Sequence, residues 1–307
     1  MRHISKLLAL LPCLAILGGC ARSFSETAVA DDGSWNRTVK FTIAKEAQMG
    51  GEPPKFEDTF VLPAAGWKVV KTTDKDNQIF TATRAAKLGE VISKDIQIKN
   101  KKGIICVNEV KVTELAPGKF EYLETIRYIG PDKPDVAEAR KWMSPMLAQV
   151  LPTGTDQATT NRFVDAMIGE MWHIIFGPSE PLLSQLFFSP DLAERRMKAK
   201  FGRALDTLLN KEFGDKMDAN ARLKAIRTLI AQLDSGKLLE GSKEKQKEGP
   251  SDDSNLIAMF TAVKLPGRIV ESNGELDEVS GEVFWAYYPE AAQLGDVTLR
   301  AVCEVKP

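Results

Sequence analysis

The chain contains IICVNEVKVTEL at residues 104–115 and FEYLETIRY at residues 120–128, joined by Ala116-Pro117-Gly118-Lys119. Apolar side chains recur with a period of two in the first segment, at Ile104, Cys106, Val110 and Val112. A period of two places these residues on one face of a β-strand, and Pro-Gly marks a turn. The stretch therefore predicts two antiparallel strands with one buried face, and so a sheet at the centre of the fold.

More strands are predicted on both sides of this pair. Alternation is found at Val39, Phe41 and Ile43, and strand patterns recur at 78–84, 95–99, 255–264, 267–271, 281–288 and 296–305. Because the late strands are too few and too apolar to stand alone, we expect them to join the first sheet, with Asn273-Gly274 turning a tight hairpin. Two separate domains are the alternative.

The middle of the chain has helical periodicity. Helices are predicted at 135–150 and 155–176, from Ser189-Pro190 to Phe213, and from Asp218 to about Ser235. Serine is a favourable N-cap and proline a favourable first helical residue. The fold class is therefore α+β, an antiparallel sheet built from N- and C-terminal strands (37–130 and 255–307) with a long helical insertion (131–240) and a charged linker (241–254).

The N-terminus resembles a bacterial lipoprotein signal. Basic residues precede an apolar run from Leu7 to Leu17, which is too short to span a bilayer, and Leu17-Gly18-Gly19-Cys20 follows. The resemblance implies cleavage after residue 19 and a palmitate-type lipid anchor on Cys20. Residues 21–36 are mostly small or polar and without regular periodicity, which predicts a flexible tether at 20–36. Ala21 after the cysteine implies the outer membrane, with the body in the periplasm. An ordinary signal peptide with a buried thiol is the alternative.

The charge of the chain bears on its binding partners, and its cysteine content bears on disulfide formation. Without Arg2 and Lys6 the chain carries 39 basic and 42 acidic residues, which gives no indication of nucleic-acid binding. Two cysteines remain beyond Cys20, Cys106 and Cys303, both at core-facing positions of predicted strands. In an oxidising envelope they form either a disulfide or two separate buried thiols.

Two patches resemble the LppM-like family of bacterial lipoproteins. They are Ala65-Gly66-Trp67-Lys68-Val69 with Phe80-Thr81-Ala82-Thr83-Arg84, and Leu265-Pro266-Gly267-Arg268-Ile269-Val270 with Ser272-Asn273-Gly274 and Val283-Phe284-Trp285. The resemblance implies a lipid-anchored envelope protein whose sheet domain holds amphiphiles, and it carries over no catalytic residue. The helical middle departs from the family pattern, as does the lack of a membrane helix after the last strand.

The sequence gives little indication of an enzyme. His173 is the only histidine after residue 20, so no site with several histidines can form, and its apolar surroundings favour a structural role. No nucleophile elbow, phosphate loop or dinucleotide motif is present. We therefore predict no catalytic residue, no metal and no cofactor.

A dense apolar surface remains in the helical part. Most of it is expected to be core, but one short segment carries too many large apolar residues for one helix face. The candidate surface for an apolar ligand or a partner comprises Trp172, Leu183, Leu186, Phe187 and Phe188. Three functions follow in order: a lipid-binding envelope module, a scaffold lipoprotein whose protein partner is unknown, and a hydrolase.

Overall fold

The computed structural model describes residues 21–44, 55–63, 65–73, 77–131, 136–178, 190–234 and 257–305. The chain divides into two compact units. The β unit comprises 1–132, 176–188 and 255–307, and the helical unit comprises 133–175 and 189–254. Within the described residues the α+β class with a helical segment between N- and C-terminal strands is confirmed.

Thirteen strands lie in the described part of the β unit. They are β1 (Ala21–Val29), β2 (Trp35–Ala44), β3 (Phe60–Val61), β4 (Lys68–Thr73), β5 (Asn77–Ala86), β6 (Val91–Asn100), β7 (Gly103–Ala116), β8 (Lys119–Tyr128), β9 (Ala258–Lys264), β10 (Arg268–Ser272), β11 (Glu275–Asp277), β12 (Glu282–Tyr287) and β13 (Val297–Glu304). A one-turn helix, α1 (Phe56–Thr59), and a 3-10 helix, Pro289–Gln293, accompany them.

The strands form two sheets rather than the single sheet expected. Sheet A has the order β11-β12-β9-β1-β2-β5-β4, and sheet B has the order β10-β13-β8-β7-β6-β3. In each sheet a block of C-terminal strands adjoins a block of N-terminal strands, at β9–β1 in sheet A and at β13–β8 in sheet B, so neither part of the chain completes a sheet alone. Every described pairing is antiparallel except β1–β9, which the long connection between these two strands permits. Residues of both sheets share one buried core, as in a β-sandwich.

The tether predicted at 20–36 is wrong for the residues that the structure describes. Ala21–Val29 is the strand β1, paired on both sides at the centre of sheet A, and the next strand starts at Trp35, which is 1% exposed. The inward side chains of β1 include Ser23, Ser25 and Thr27, all fully buried. Small hydroxyl residues fill this face, so the apolar alternation that identifies a buried strand is missing.

Asn273 and Gly274 do not turn a hairpin. The strand before them, β10, pairs with β13 in sheet B, whereas β11 after them pairs with β12 in sheet A, so the chain crosses between sheets here. The Asn273 Oδ1 accepts hydrogen bonds from Trp285 Nε1 (3.0 Å) and from the Arg300 backbone N (2.9 Å). Its side chain therefore joins the two sheets at the crossing.

Gly274 is required for close approach to a buried indole. A Cβ at this position would lie 2.5 Å from Trp285 Cε2, and Trp285 is fully buried. We expect Gly274→Ala to lower the free energy of unfolding by about 1–3 kcal/mol, because the buried Trp285 side chain would have to shift to make room for the added methyl group. Urea unfolding measures the change. Gly295→Ala is the matched control, since a Cβ there meets nothing within 4 Å; equal midpoints for the two variants would contradict the prediction.

The helical unit has its own buried core. Its described helices are α2 (Val136–Leu147), α3 (Gln157–Phe176, whose last residue belongs to the β unit), α4 (Pro190–Phe213) and α5 (Ala219–Asp234). Asp218, where the last helix is predicted to begin, caps that helix, because its carboxylate accepts a hydrogen bond from the Ala221 backbone N at 2.7 Å. Phe163, Leu205 and Leu209 are fully buried at the centre of this core.

Candidate functional site

The interior of the β unit contains a fully buried arginine. Arg37 lies on the inward face of β2, between Trp35 and Val39, and has no exposed surface. Arginine is almost never buried completely unless its charge is paired. The groups that pair it form the most concentrated set of buried charges in the described part of the chain, and we call them the core ion-pair network: Arg37, Thr27, Asp95, Asn108, Tyr122 and Glu124.

Arg37 joins the two sheets through its guanidinium. Its Nη2 and Nη1 donate to the two carboxylate oxygens of Glu124 on β8, at 2.7 and 3.2 Å, and its Nε donates to Asp95 Oδ2 on β6 at 2.8 Å. The Nη1 group also donates to Thr27 Oγ1 and to the hydroxyl of Tyr122, both at 3.0 Å. Arg37 and Thr27 belong to sheet A, whereas Glu124, Asp95 and Tyr122 belong to sheet B, so the bonds from Arg37 to these three residues cross the sandwich.

Glu124 is saturated with hydrogen bonds. Besides both nitrogens of Arg37, it accepts from the Tyr122 hydroxyl at 2.5 Å and from Asn108 Nδ2 at 2.6 Å. Asn108 in turn accepts a hydrogen bond from the backbone N of Ile96 at 2.9 Å. Four donors occupy the lone pairs of this carboxylate and leave none for a reacting group.

A β-bulge turns Asp95 into the core. The register between β6 and β7 shifts between Ser93 and Gln97, and Lys94 has a positive φ of 62°. As a result the neighbours Asp95 and Ile96 are both buried, although regular alternation would place them on opposite faces. Asp95 Oδ1 has no hydrogen-bonding partner among the described residues. Asp95 is thus the less well satisfied of the two carboxylates.

Burial and the neighbouring charges shift the pKa values of this network. Burial opposes the charge of Arg37, but Asp95 and Glu124 outweigh it and hold the pKa of the guanidinium well above its usual value. Burial raises the pKa of Asp95; Arg37 offsets part of this rise, and Glu124 adds to it. Burial, followed by the charge of Glu124, also raises the pKa of Tyr122. Protonating Asp95 would bring the formal charge of the network to zero.

The geometry gives the core ion-pair network a structural role. Arg37, Glu124 and Tyr122 have no exposed surface, and Asp95 is only 1% exposed, so no substrate reaches them in this conformation. A buried ion pair contributes little net stability over an apolar core, but breaking one partner is strongly destabilising. The network therefore fixes which strands of the two sheets face each other.

Hydroxyl groups continue the polar interior beside the network. Ser25 Oγ lies 2.9 Å from Thr261 Oγ1, and the Tyr287 hydroxyl lies 3.4 Å from the same Thr261 oxygen. The same core contains large side chains that are less than 2% exposed: Trp35, Trp285, Tyr122, Tyr287, Phe41 and Phe60. The Tyr122 and Trp285 rings, from opposite sheets, stack at 5.9 Å. Side chains from both sheets thus meet in the core of the β unit.

Cys106 and Cys303 do not form the disulfide that was one of the two sequence alternatives. Both are buried and free. Cys106 pairs with Tyr128 at one end of β8, and Cys303 pairs with Phe120 near the other end. Eight residues of strand separate these positions by roughly 26 Å, whereas a disulfide needs Cα atoms within about 7 Å. Burial raises the pKa of both thiols, which makes them poor nucleophiles.

The structure describes two of the other candidate site residues, Trp172 and His173. Trp172 and His173 are partly buried on α3, and His173 Nε2 has no hydrogen-bonding partner among the described residues. Leu183, Leu186, Phe187 and Phe188, Cys20 and the linker 241–254 lie outside the described residues. The described part of the chain holds no group of three His, Cys, Asp or Glu side chains arranged to bind a metal ion.

Comparison with protein-family models, curated proteins and solved structures gives no match for this chain. Among the described helices, none combines the length and the apolar character needed to span a bilayer.

Proposed function

We propose that this chain is a bacterial envelope lipoprotein that is anchored by a lipid on Cys20 and acts by binding rather than by catalysis. One observation carries the proposal: the Leu17-Gly18-Gly19-Cys20 motif ends one residue before β1 begins at Ala21. Cleavage after residue 19 therefore leaves every described strand in the mature chain. The outer membrane, with the body in the periplasm, is the proposed location. The resemblance to LppM-like lipoproteins agrees with this anchor.

The packed interior of the β unit supports a scaffold function that acts through protein contacts. An amphiphile held between the sheets would have to displace side chains such as Trp285 and Tyr287, which are fully buried. Such a displacement would create or overfill space in a close-packed core, and either change is destabilising. The β unit is thus better suited to present a rigid surface than to enclose a ligand.

Binding of an amphiphile at the helical part is the second proposal. The residues from Met171 to Phe176 are all partly exposed, although only His173 among them is polar. Trp172 lies in this run. Native mass spectrometry of the mature chain from a bacterial envelope separates the two functions: a stoichiometric amphiphile supports ligand binding, whereas an empty chain that copurifies with a defined protein supports the scaffold.

The anchor itself is tested by Cys20→Ser. We expect this variant to lose incorporation of labelled palmitate and to leave the membrane fraction, because lipid attachment requires the thiol. Cys13→Ser, in the segment predicted to be removed, is the matched control and should leave label and fractionation unchanged. Continued labelling of the Cys20→Ser chain would disprove lipidation at this residue.

A further inference from the structure

One end of the β unit contains the start of β1, and we call it the proximal end. Ala21 pairs with Ile43 on β2, and the Phe41 ring on the same strand lies 4.8 Å from the Phe60 ring. Phe60 pairs with Ile98, two residues before β6 ends. The turn between β6 and β7 therefore lies at the proximal end, together with the first residue of β1.

This turn is strongly basic. Asn100 pairs with Gly103, and the Asn100 side chain accepts a hydrogen bond from the Lys102 backbone N at 2.8 Å, which fixes the turn. Lys99, Lys101 and Lys102 lie in or next to it, and residues 97–104 include no acid. Lys101 and Lys102 are exposed. Lys99 is half-buried, and its Nζ donates to the backbone oxygen of Glu57 at 2.5 Å.

Exposed apolar side chains lie beside these lysines. Ile104 is 38% exposed and Ile129 is 50% exposed. The backbone N of Ile129 donates to the Ile105 oxygen at 2.8 Å, which holds Ile129 beside the start of β7. Lysines next to exposed aliphatic side chains are typical of surfaces that rest on anionic membranes. We define the hairpin surface as Lys99, Lys101, Lys102, Ile104 and Ile129.

The position of the proposed anchor determines which end of the β unit meets the bilayer. Ala21 follows Cys20 directly, is 1% exposed, and is already paired in sheet A. A lipid on Cys20 would consequently be joined to the sheet without a spacer, and it would hold the proximal end near the headgroups. The exposed Arg22 lies at the same end, while Glu57 and Asp58 on α1 lower the net charge there.

We propose that the hairpin surface binds anionic lipid headgroups and orients the β unit on the membrane. The orientation rests on the proposed lipid at Cys20, whereas the attraction between the lysines and an anionic surface does not. The occupant is a lipid surface because the basic turn and the exposed isoleucines lie at the end where the chain would enter the bilayer.

The first test uses the mature chain from residue 20 with Cys20→Ser, so that no acyl chain contributes to binding. Binding is measured by sedimentation with vesicles that contain phosphatidylglycerol and phosphatidylethanolamine. We expect Lys101→Gln/Lys102→Gln to weaken binding roughly 30-fold, because each lysine near an anionic surface contributes about a fivefold factor. Higher salt should weaken binding of the parent chain, and vesicles of phosphatidylethanolamine alone should not bind it.

The matched control is Lys87→Gln/Lys119→Gln. Lys87 follows β5 next to Ala86, which pairs with Trp35, and Lys119 pairs with Glu304, so both lie at the opposite end. This variant carries the same change in charge and should alter binding by less than about twofold. Equal losses in the two variants, or no binding of the parent chain to the anionic vesicles, would overturn the proposal.

The second test uses the full lipidated chain in vesicles that contain nitroxide-labelled headgroups. A fluorophore on Glu57→Cys, which is exposed at the proximal end but outside the hairpin surface, should be quenched, and one on Lys119→Cys should not; the buried Cys106 and Cys303 are protected from the label. If the chain is lipidated but quenching is equal at the two sites, the orientation is wrong and the anchor stands. If the chain carries no lipid but binds in the first test, the anchor is wrong and the hairpin surface stands.

Discussion

Replacing Arg37 by Met is expected to lower the free energy of unfolding by about 3–5 kcal/mol. The substitution leaves Glu124 and Asp95 without a cation in a core where neither has exposed surface for hydration. Within the network, Arg37 is the residue of β2 that bonds to both β6 and β8, and the substitution removes both connections. Urea unfolding of the mature chain at neutral pH measures the loss.

Two further arginine variants make this result specific. Arg37→Lys keeps the charge but cannot donate to both carboxylates with the geometry of a guanidinium, so an intermediate loss is expected. Arg300→Met breaks pairs with Glu121 and Glu271, which are partly exposed, and should cost no more than about 1 kcal/mol. A loss for Arg37→Met as small as that for Arg300→Met would show that the buried network does not hold the sheets together.

Two members of this network could have been found from the sequence. Arg37 interrupts the alternating apolar face that contains Trp35 and Val39, and Glu124 interrupts the face that contains Tyr122 and Ile126. A charge at a buried position of a strand needs a partner, and opposite charges on two such strands predict each other. The alternation predicts both strands, and pairing the two opposite charges within it predicts in addition the ion pair between the sheets.

Asp95 could not have been placed in the same way. Its burial depends on a bulge at Lys94, which shifts the side-chain alternation of β6 by one residue. No residue preference marks this bulge, because Lys94 is not a glycine or an asparagine. The sequence thus predicts the strand but not which face of it Asp95 occupies.

The first strand and the sheet crossing were mispredicted for different reasons. On β1 the inward Ser23, Ser25 and Thr27 leave space for the large aromatic side chains of other strands, so local hydrophobicity is low although the strand is central. At Asn273-Gly274 the turn preference is real, but the asparagine side chain bonds between sheets and the glycine makes room for Trp285. In each case a partner far along the chain determined the structure.

The two carboxylates of the network are expected to respond differently to the loss of charge. Glu124→Gln should cost about 3–5 kcal/mol, because an amide cannot accept four hydrogen bonds and leaves Arg37 with a single charged partner. Asp95→Asn should cost no more than about 1 kcal/mol at neutral pH, because Glu124 still pairs Arg37 through two bonds and Asp95 makes only one. Urea unfolding of both variants at one pH tests this contrast.

The pH dependence of unfolding gives a second readout for Asp95. Its pKa is raised in the folded state above the ordinary value of 3.8, so the folded chain holds this proton more tightly than the unfolded chain. The stability contributed by protonated Asp95 is complete below 3.8 and is lost as pH rises through the raised pKa. Relative to Asp95→Asn, the parent chain should therefore become less stable as pH increases across that interval. A constant difference between the two chains would mean that Asp95 folds as readily charged as neutral, and a difference that favours the parent as pH rises would mean that it folds more readily charged. In either case Arg37 would have to compensate both carboxylates at once.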